Sequence, residues 1–372
     1  MKSDHVKLKK VVDLFQKKGM DGLIIYSGGT CSILRPSYLY YFAGFKPMGT
    51  RNGAIVSKTG DVALLVEPRW DEGRVSNKSW IGDVRGTSDF VRDLFEILTQ
   101  WDIKAPVGVA GVKEMNREVY FDIEEKFKIH PADEIIEEMA QEKTAHEIDV
   151  VREVARIADI GFHAFMNHAR VGIREYELAA YMEYAMRCFG ADDIFILLSS
   201  EKHNYEMHEP TDRRLEEGDV IIGEITPVIE GQFFQLCRTI VMGQPGALLK
   251  EKYGILLKAL EKTLSEVRAG VPASIISKTM NGVISDAGYA KYCYPPYMRA
   301  RGHGFGAGSL APGGAIDDNT QAPLVKDQVV VIHPNQWIPE TGYLACGETY
   351  LITASGYEKC AETETKLYVK EG

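Results

Sequence analysis

Hydrophobic residues in the first part of the chain follow helical and strand-like spacing in turn. Apolar positions recur at helical spacing through residues 8–15, and the apolar run at 21–26 has the length of a buried strand. The same alternation continues with two strands within 53–66, a helix at 89–101 and a short strand at 107–110. This order predicts an α/β N-terminal domain, to which we assign residues 1–138.

The pattern changes after residue 138, and we assign residues 139–372 to a second domain. Thr144 and Glu147 have the spacing of a capping box and predict the start of a long helix, and a second helix is predicted at 173–190. Two β-rich runs then flank Glu230-Gly231, so residues 218–239 predict a hairpin whose two strands place side chains in one cavity.

Two helices and a hairpin occur a second time in the C-terminal part. Helices are predicted at about 248–267 and 273–287, and a second hairpin follows. The two hairpins begin with runs that match in form across 108 positions, Asp219-Val-Ile-Ile-Gly-Glu-Ile-Thr-Pro and Asp327-Gln-Val-Val-Val-Ile-His-Pro. This internal repeat predicts a domain with pseudo-twofold symmetry and a site between its halves.

The first hairpin resembles the metal-binding hairpin of the pita-bread hydrolases, which include methionine aminopeptidase, aminopeptidase P, prolidase and creatinase. In that family two hairpin aspartates lie eleven residues apart, and here Glu224 and Gln235 occupy those positions. The resemblance implies an α/β N-terminal domain followed by an α+β pita-bread (creatinase/aminopeptidase) C-terminal domain with a pseudo-twofold internal repeat.

The resemblance also assigns the other three metal-ligand positions of the family. They fall in Gly302-His303-Gly304, in Ile332-His333-Pro334-Asn335 and at Gly347, so the five positions hold Glu224, Gln235, His303, His333 and Gly347. A dinuclear site needs carboxylates that bridge both cations. We therefore expect no metal and no other cofactor, as in the creatinase or ectoine hydrolase branch. A single metal ion on Glu224, His303 and His333 remains an alternative.

A further segment, Met207-His208-Glu209-Pro210-Thr211-Asp212-Arg213, resembles the His-x-Pro-Thr-Asp-Arg segment of aminopeptidase P and prolidase. The resemblance implies that His208 faces the site and relays a proton, which suits a side chain with a reference pKa of about 6.5. The alternative is that His208 only shapes the turn before Pro210. The alternative for His303 is that it only occupies a tight turn between glycines. The alternative for His333 is that it is a core histidine.

Three further side chains on the predicted strands are candidates for substrate binding. Gln235 and Cys237 share one face of the predicted strand, so both are expected to face the cavity, although a buried structural cysteine is the alternative for Cys237. Glu348 is a third candidate. Alternation places it opposite Gly347 unless the strand bulges.

The resemblance to creatinase implies a homodimer in which the smaller domain of one subunit closes over the other subunit. Arg51 lies near the position of an arginine that holds the substrate carboxylate in creatinase. A bidentate pair between Arg51 and a substrate carboxylate would suit this role. A solvated loop arginine is the alternative.

Composition narrows the class of protein. The net charge of −10, from 43 basic and 53 acidic residues, disfavours nucleic acid and anionic membranes as partners. No apolar run approaches the roughly 20 residues of a membrane-spanning helix. Six widely separated cysteines favour reduced thiols over a disulfide framework. We therefore expect a cytoplasmic protein with a small-molecule substrate.

The resemblance to creatinase and ectoine hydrolase leads to a hypothesis for the reaction. We expect a metal-independent hydrolase of a non-peptide C–N bond in a small amino-acid-like compound, such as a guanidino compound, an amidine or a cyclic amidine. Its catalytic residues would be His208, Glu224, His303 and His333. The alternatives are a metal-dependent Xaa-Pro aminopeptidase or dipeptidase with altered ligands, and a non-catalytic pita-bread binding module.

Overall fold

Short apolar strands and amphipathic helices alternate along the N-terminal part and build a mixed six-stranded sheet. The strands are β1 Gly22–Ser27, β2 Asn52–Ser57, β3 Val62–Val66, β4 Asp83–Gly86, β5 Val107–Ala110 and β6 Ile129–Pro131. The helices are α1 Lys2–Lys17, α2 Tyr38–Ala43, α3 Glu72–Lys78, α4 Phe90–Gln100, α5 Arg117–Lys126 and α6 Asp133–Gln141. The strand order is β4-β3-β2-β1-β5-β6.

This computed structural model describes residues 2–29, 31–33, 37–104, 106–305 and 314–371. The chain divides into two compact units, the first running to His146 with Glu230–Gln232 added and the second beginning at Glu147. The predicted boundary between residues 138 and 139 stays a prediction.

The strand period of two explains the two cores of the N-terminal unit. Leu23 and Ile25 of β1 pack in one cluster with Phe15 of α1. Ile24 and Tyr26 point the other way, into a cluster with helix α4. The sheet is therefore covered by helices on both faces, as the alternation of predicted elements indicates.

The C-terminal unit contains helices α7 Ala145–His168, α8 Glu175–Cys188, α9 Ala247–Glu266 and α10 Ser274–Ile284. Its strands are β7 Asp193–Glu201, β8 Val220–Ile229, β9 Gln232–Phe233, β10 Leu236–Met242, β11 Gly302–Phe305, β12 Ala315–Ile316, β13 Val329–Ile332, β14 Asn335–Ile338, β15 Gly342–Ala345, β16 Gly347–Ile352, β17 Tyr357–Lys359 and β18 Leu367–Lys370. The main sheet has the order β12-β11-β13-β16-β10-β8-β7, while β14 and β15 form a separate hairpin.

The first predicted hairpin forms as the sequence indicates. Strands β8 and β10 pair antiparallel, and Glu230 and Gly231 both have positive φ, 50° and 74°, as a tight hairpin turn requires. The repeat is also present, because α7 and α8 precede the β8–β10 pair and α9 and α10 precede the β13–β16 pair. Strand β7 was not predicted, although it adds a long partner to β8.

A glycine explains how closely helix α7 approaches the sheet. A Cβ atom at Gly223 would lie 2.6 Å from a ring carbon of Phe165, closer than real contacts allow. Gly223 therefore faces α7, and its neighbour Glu224 points to the other face of β8. In the described part of the chain, no helix combines the length and hydrophobicity needed to cross a membrane.

A buried ion pair links strands β10 and β16 on the face that carries Gly223. Nη2 of Arg238 lies 2.9 Å from Oε2 of Glu348, and neither side chain has exposed surface. Arg238 also donates to backbone carbonyls of Cys237, Gly347, Thr363 and Glu364. Removing one partner of such a pair is costly because the charge of the other partner stays buried, away from solvent.

We therefore expect Glu348→Ala to lower the free energy of unfolding by about 3–5 kcal/mol, as for other buried pairs that lose one partner. Urea unfolding followed by circular dichroism would measure the change. Glu358→Ala is the matched control, because Glu358 pairs with Arg152 at 2.8 Å near the surface. The control should lose less than about 1 kcal/mol. Equal losses would show that the buried pair contributes no more than a surface pair.

Candidate functional site

Glu224 lies in the middle of the C-terminal sheet, on the face away from helix α7. It pairs in register with Cys237 on β10 and with Leu197 on β7. Its side chain is 8% exposed, and no described residue forms an ion pair with it. Burial raises the pKa of Glu224 to about 7, and the positive charge of Arg299 opposes part of that rise. Glu224 is therefore a buried carboxyl that can lose or gain a proton near neutral pH.

Two histidines from adjacent strands lie side by side. His303 on β11 pairs in register with Val331 on β13, and His333 follows the end of that strand. Their ring centroids are 5.4 Å apart with an interplanar angle of 75°. Burial lowers the pKa of His303 to about 4, and burial together with His303 lowers the pKa of His333 well below its usual value. Both imidazoles are therefore neutral near pH 7.

Two polar atoms at the predicted site positions are buried without a hydrogen-bond partner in the described part of the chain. They are Nε2 of His333 and Oε1 of Gln235. Buried polar groups are nearly always paired, so an unpaired one needs an explanation. A bound ligand with a donor or an acceptor for each atom would supply the missing bonds.

Arg299 is the charged group of this site that the sequence analysis missed. Its Nη2 donates to the Met207 carbonyl at 2.7 Å, and its backbone N–H donates to Oδ1 of Asn335 at 2.7 Å. The positive charge of Arg299 lowers the pKa of both Glu224 and His333. No sequence motif marked Arg299, which lies four residues before His303.

Asn335 connects Arg299 to His333. Its Nδ2 donates to the His333 carbonyl at 2.9 Å and to the Ala300 carbonyl at 3.0 Å, while its Oδ1 accepts from Arg299. One side-chain amide therefore holds the segment before β11 against the end of β13.

A second arginine lies fully buried close to these strands. Arg301 donates to Oδ1 of Asn281, to the Asn335 carbonyl and to Oε1 of Gln336, which are all neutral acceptors. Burial lowers the pKa of Arg301 to about 10, so it still carries its charge at neutral pH. Its positive charge also lowers the pKa of His333.

The structure corrects the assignment of Glu348. Its carboxylate pairs with Arg238 on the opposite face of the sheet from Glu224 and Cys237, as strand alternation indicates. Glu348 is therefore not available as a substrate-binding residue in this site.

Cys237 lies on the same face as Glu224, but its thiol is buried in the hydrophobic core. Burial, reinforced by the Glu224 charge, raises the pKa of Cys237 well above its usual value. A nucleophilic thiolate needs a lowered pKa, so this structure favours a structural role for Cys237.

The remaining two candidates, His208 and Arg51, stay predictions. Nδ1 of His208 lies 2.8 Å from the Glu209 carbonyl, and the preceding residue accepts the hydrogen bond from Arg299. Arg51 lies in the N-terminal unit and pairs with Glu67 at 2.9 Å. A substrate carboxylate would have to compete with Glu67 for its guanidinium.

The residues present do not fit a pair of metal ions. Gln235 is neutral, and Gly347 has no side chain. Gly347 also has a φ of 114°, and a Cβ at this position would lie 2.3 Å from the Ile332 carbonyl oxygen. Within the described residues, no three His, Cys, Asp or Glu side chains converge closely enough to hold one ion. Glu224, His303 and His333 have the donor types for a single metal, but not the arrangement.

Comparisons with known proteins identify both parts of the chain. Residues 149–354 match the model of metallopeptidase family M24, and residues 7–139 match the creatinase/prolidase N-terminal domain. An Xaa-Pro dipeptidase of Pyrococcus furiosus is 25% identical over 365 residues, covering 97% of this chain and 99% of that protein. An Xaa-Pro dipeptidase of Pyrococcus horikoshii is 25% identical, covering 97% and 98%.

Solved structures agree on the fold. The X-Pro aminopeptidase of Thermotoga maritima has a TM-score of 0.85 at 22% identity, covering 97% of this chain and 99% of that one. The prolidase of Pyrococcus horikoshii has a TM-score of 0.82 at 24% identity, also covering 97% and 99%. The family matches confirm the predicted family resemblance, and the solved structures confirm the predicted two-part fold.

The same comparisons correct the expected reaction. We expected a metal-independent hydrolase of a non-peptide C–N bond. The matching family is one of metallopeptidases, and two of the relatives that are similar over nearly the whole chain are Xaa-Pro dipeptidases. That expectation is wrong. The alternative, a metal-dependent Xaa-Pro aminopeptidase or dipeptidase with altered ligands, agrees better with the relatives.

The buried Glu224 carboxyl makes the stability of the fold depend on pH. Folding raises its pKa from 4.5 to about 7, so the folded state binds this proton more tightly. Burying Glu224 lowers the free energy of unfolding little below pH 4.5. It lowers that free energy further as the pH rises through 7. Glu224→Gln should therefore raise the free energy of unfolding by about 3 kcal/mol at pH 8 and by much less near pH 4.5.

Urea unfolding at both pH values would measure this difference. Glu261→Gln, on the exposed side of helix α9, is the control and should change stability equally at both pH values. A Glu224→Gln effect that does not depend on pH would show that the carboxyl is ionised normally in the folded protein.

Proposed function

The chain belongs to metallopeptidase family M24, and on that premise we propose that it hydrolyses short Xaa-Pro peptides through a site with altered ligand positions. The proposal rests on Glu224, His303 and His333, which the resemblance to the family puts at ligand positions. It is supported by Arg299, whose positive charge lowers the pKa of both Glu224 and His333. The similarity to Xaa-Pro dipeptidases over nearly the whole chain supports the choice of substrate.

In this proposal Glu224 transfers the proton. A peptide bond is hydrolysed when water attacks the carbonyl carbon and the departing nitrogen receives a proton. A carboxylate in hydrogen-bond reach of the water can accept its proton and return it to the proline nitrogen. The position of Glu224, on the face of β8 that is free of helix α7, supports this role.

The two histidines polarise the scissile carbonyl. Each imidazole is neutral near pH 7, so each has one N–H to donate without adding a charge. Nε2 of His333 has no partner among the described residues and is available for the carbonyl oxygen. Hydrogen-bond donors fixed in a site that excludes water stabilise the negative charge that develops on that oxygen.

Gln235 suits the other end of the substrate. Its unpaired Oε1 is an acceptor, and the free amino group of a dipeptide is a charged donor. His208 as a proton relay, and Arg51 in a homodimer, are further parts of this proposal that no contact in the described chain tests.

We expect the purified protein to release proline from Xaa-Pro dipeptides such as Leu-Pro. Glu224→Gln should lower kcat by about a hundredfold to ten-thousandfold, because the amide cannot carry the proton. A proline-release assay, with manganese or zinc added in separate arms, would measure both rates. Glu261→Gln should retain the wild-type rate. Absence of proline release in every arm would contradict the proposal and favour a binding module.

Metal content is a separate expectation. A dinuclear centre needs bridging carboxylates, and Gln235 and Gly347 supply none. Elemental analysis after dialysis against manganese or zinc should find no more than one ion per chain, and activity should need no more than that. Two tightly held ions per chain would show that other residues complete a metal pair.

A further inference from the structure

We propose that Cys293 is a redox-sensitive thiol, which hydrogen peroxide oxidises to a sulfenic acid and whose oxidised form is stabilised by Arg301. The inference is independent of the proposed peptidase activity. It rests on a half-buried thiol that lies against a buried cation, and on the absence of an anionic partner for that cation among the described residues.

The first observation is the uncompensated charge of Arg301. Its side chain has no exposed surface, and three of its five N–H groups donate to neutral oxygen atoms of Asn281, Asn335 and Gln336. Asp318 acts on Arg301 through space, but its carboxylate accepts from Nδ2 of Asn281 at 3.2 Å instead of from the guanidinium. A buried charge is costly without a partner of opposite sign. A negative charge that forms beside Arg301 is therefore stabilised.

The second observation is the position of the Cys293 thiol. It lies against the Arg301 guanidinium, and this contact raises the pKa of Arg301 against the larger effect of burial. Sγ of Cys293 also lies 3.8 Å from Oγ of Ser285 and 3.7 Å from the Tyr289 carbonyl. The thiol is partly exposed, so a molecule as small as hydrogen peroxide can reach it. Reactive cysteines occur in such electropositive and partly exposed surroundings.

Two other cysteines provide comparisons within the same chain. Cys360 is half-buried like Cys293, but burial together with the Glu358 charge raises its pKa to about 12. Cys188 is exposed, and its neighbour Arg187 donates to two backbone carbonyls at 2.9 and 2.6 Å. Exposure alone would make Cys188 the more reactive thiol, whereas a buried neighbouring cation would favour Cys293.

The oxidation needs hydrogen peroxide and no further reactant. The thiol gives up its proton, and the sulfur attacks one oxygen of the peroxide. An S–O bond forms while the O–O bond breaks, so the sulfur is oxidised and the peroxide is reduced. The departing hydroxide takes up the proton and leaves as water. The product is a sulfenic acid. When it ionises, its oxygen can accept a charge-assisted hydrogen bond from an N–H group of Arg301.

The test compares thiols within one preparation of the full chain. Reduced protein is treated with hydrogen peroxide near neutral pH in the presence of dimedone, which traps sulfenic acids, and mass spectrometry follows each cysteine peptide over time. Cys293 should be trapped about tenfold faster than Cys188, because a factor of ten corresponds to about 1.4 kcal/mol, which one close positive charge can supply. Cys360 should be trapped more slowly than both.

Variants of Arg301 test the source of this reactivity. Arg301→Gln should lower the trapping rate of Cys293, because the amide carries no charge. Arg301→Lys keeps the charge and should retain part of the rate. Arg268→Gln is the matched control, since it removes an exposed arginine from the same unit and should leave the rate unchanged. The melting temperature of each variant shows whether it folds.

The comparison of Cys293 with Cys188 uses the wild-type protein and remains decisive if an Arg301 variant fails to fold. Faster trapping at Cys188 than at Cys293 would overturn the inference. A folded Arg301→Gln variant whose Cys293 reacts at the wild-type rate would overturn the role of Arg301. Neither measurement uses a peptide substrate. Failure of this inference is therefore distinguishable from failure to release proline.

Discussion

The Arg238–Glu348 ion pair determines which side chains reach the candidate site. Successive residues of a strand point to opposite faces, so burying Arg238 and Glu348 on one face leaves Cys237 and Gly347 on the other. A shift of either strand by one residue would turn its charged side chain to the opposite face and separate it from its partner. Two buried charges would then be unpaired, at a high cost in free energy. The pair therefore prevents Glu348 from contributing a carboxylate beside Glu224.

The charge of the site follows from this constraint. With Glu348 on the back of the sheet and no carboxylate at positions 235 and 347, Arg299 acts on Glu224, while Arg299 and Arg301 act on His333. Burial keeps each imidazole uncharged, and it raises the pKa of the isolated carboxyl. Of these groups, Glu224 is the one whose charge changes near neutral pH.

The sequence predicted much of this structure because local rules determine it. Helical periodicity predicted α7, α9 and α10, the Glu230-Gly231 turn predicted the first hairpin, and strand alternation predicted the orientation of Glu348. Arg299 was not predicted because its role depends on contacts with Met207 and Asn335, which are distant in sequence. Strand β7 was missed because an apolar run shows no period that separates a strand from a buried helix. The predicted non-peptide reaction is wrong because altered ligand positions do not determine which bond a protein of this fold cleaves.

The backbone at Gly347 leaves no room for a side chain at this position. With a φ of 114° and the Ile332 carbonyl 2.3 Å from any added Cβ, a side chain cannot enter unless the strand first changes its path. A mutation that encodes an acidic residue there would be strained in the present conformation. A carboxylate could therefore be introduced at position 347 only together with further substitutions that change the path of β16.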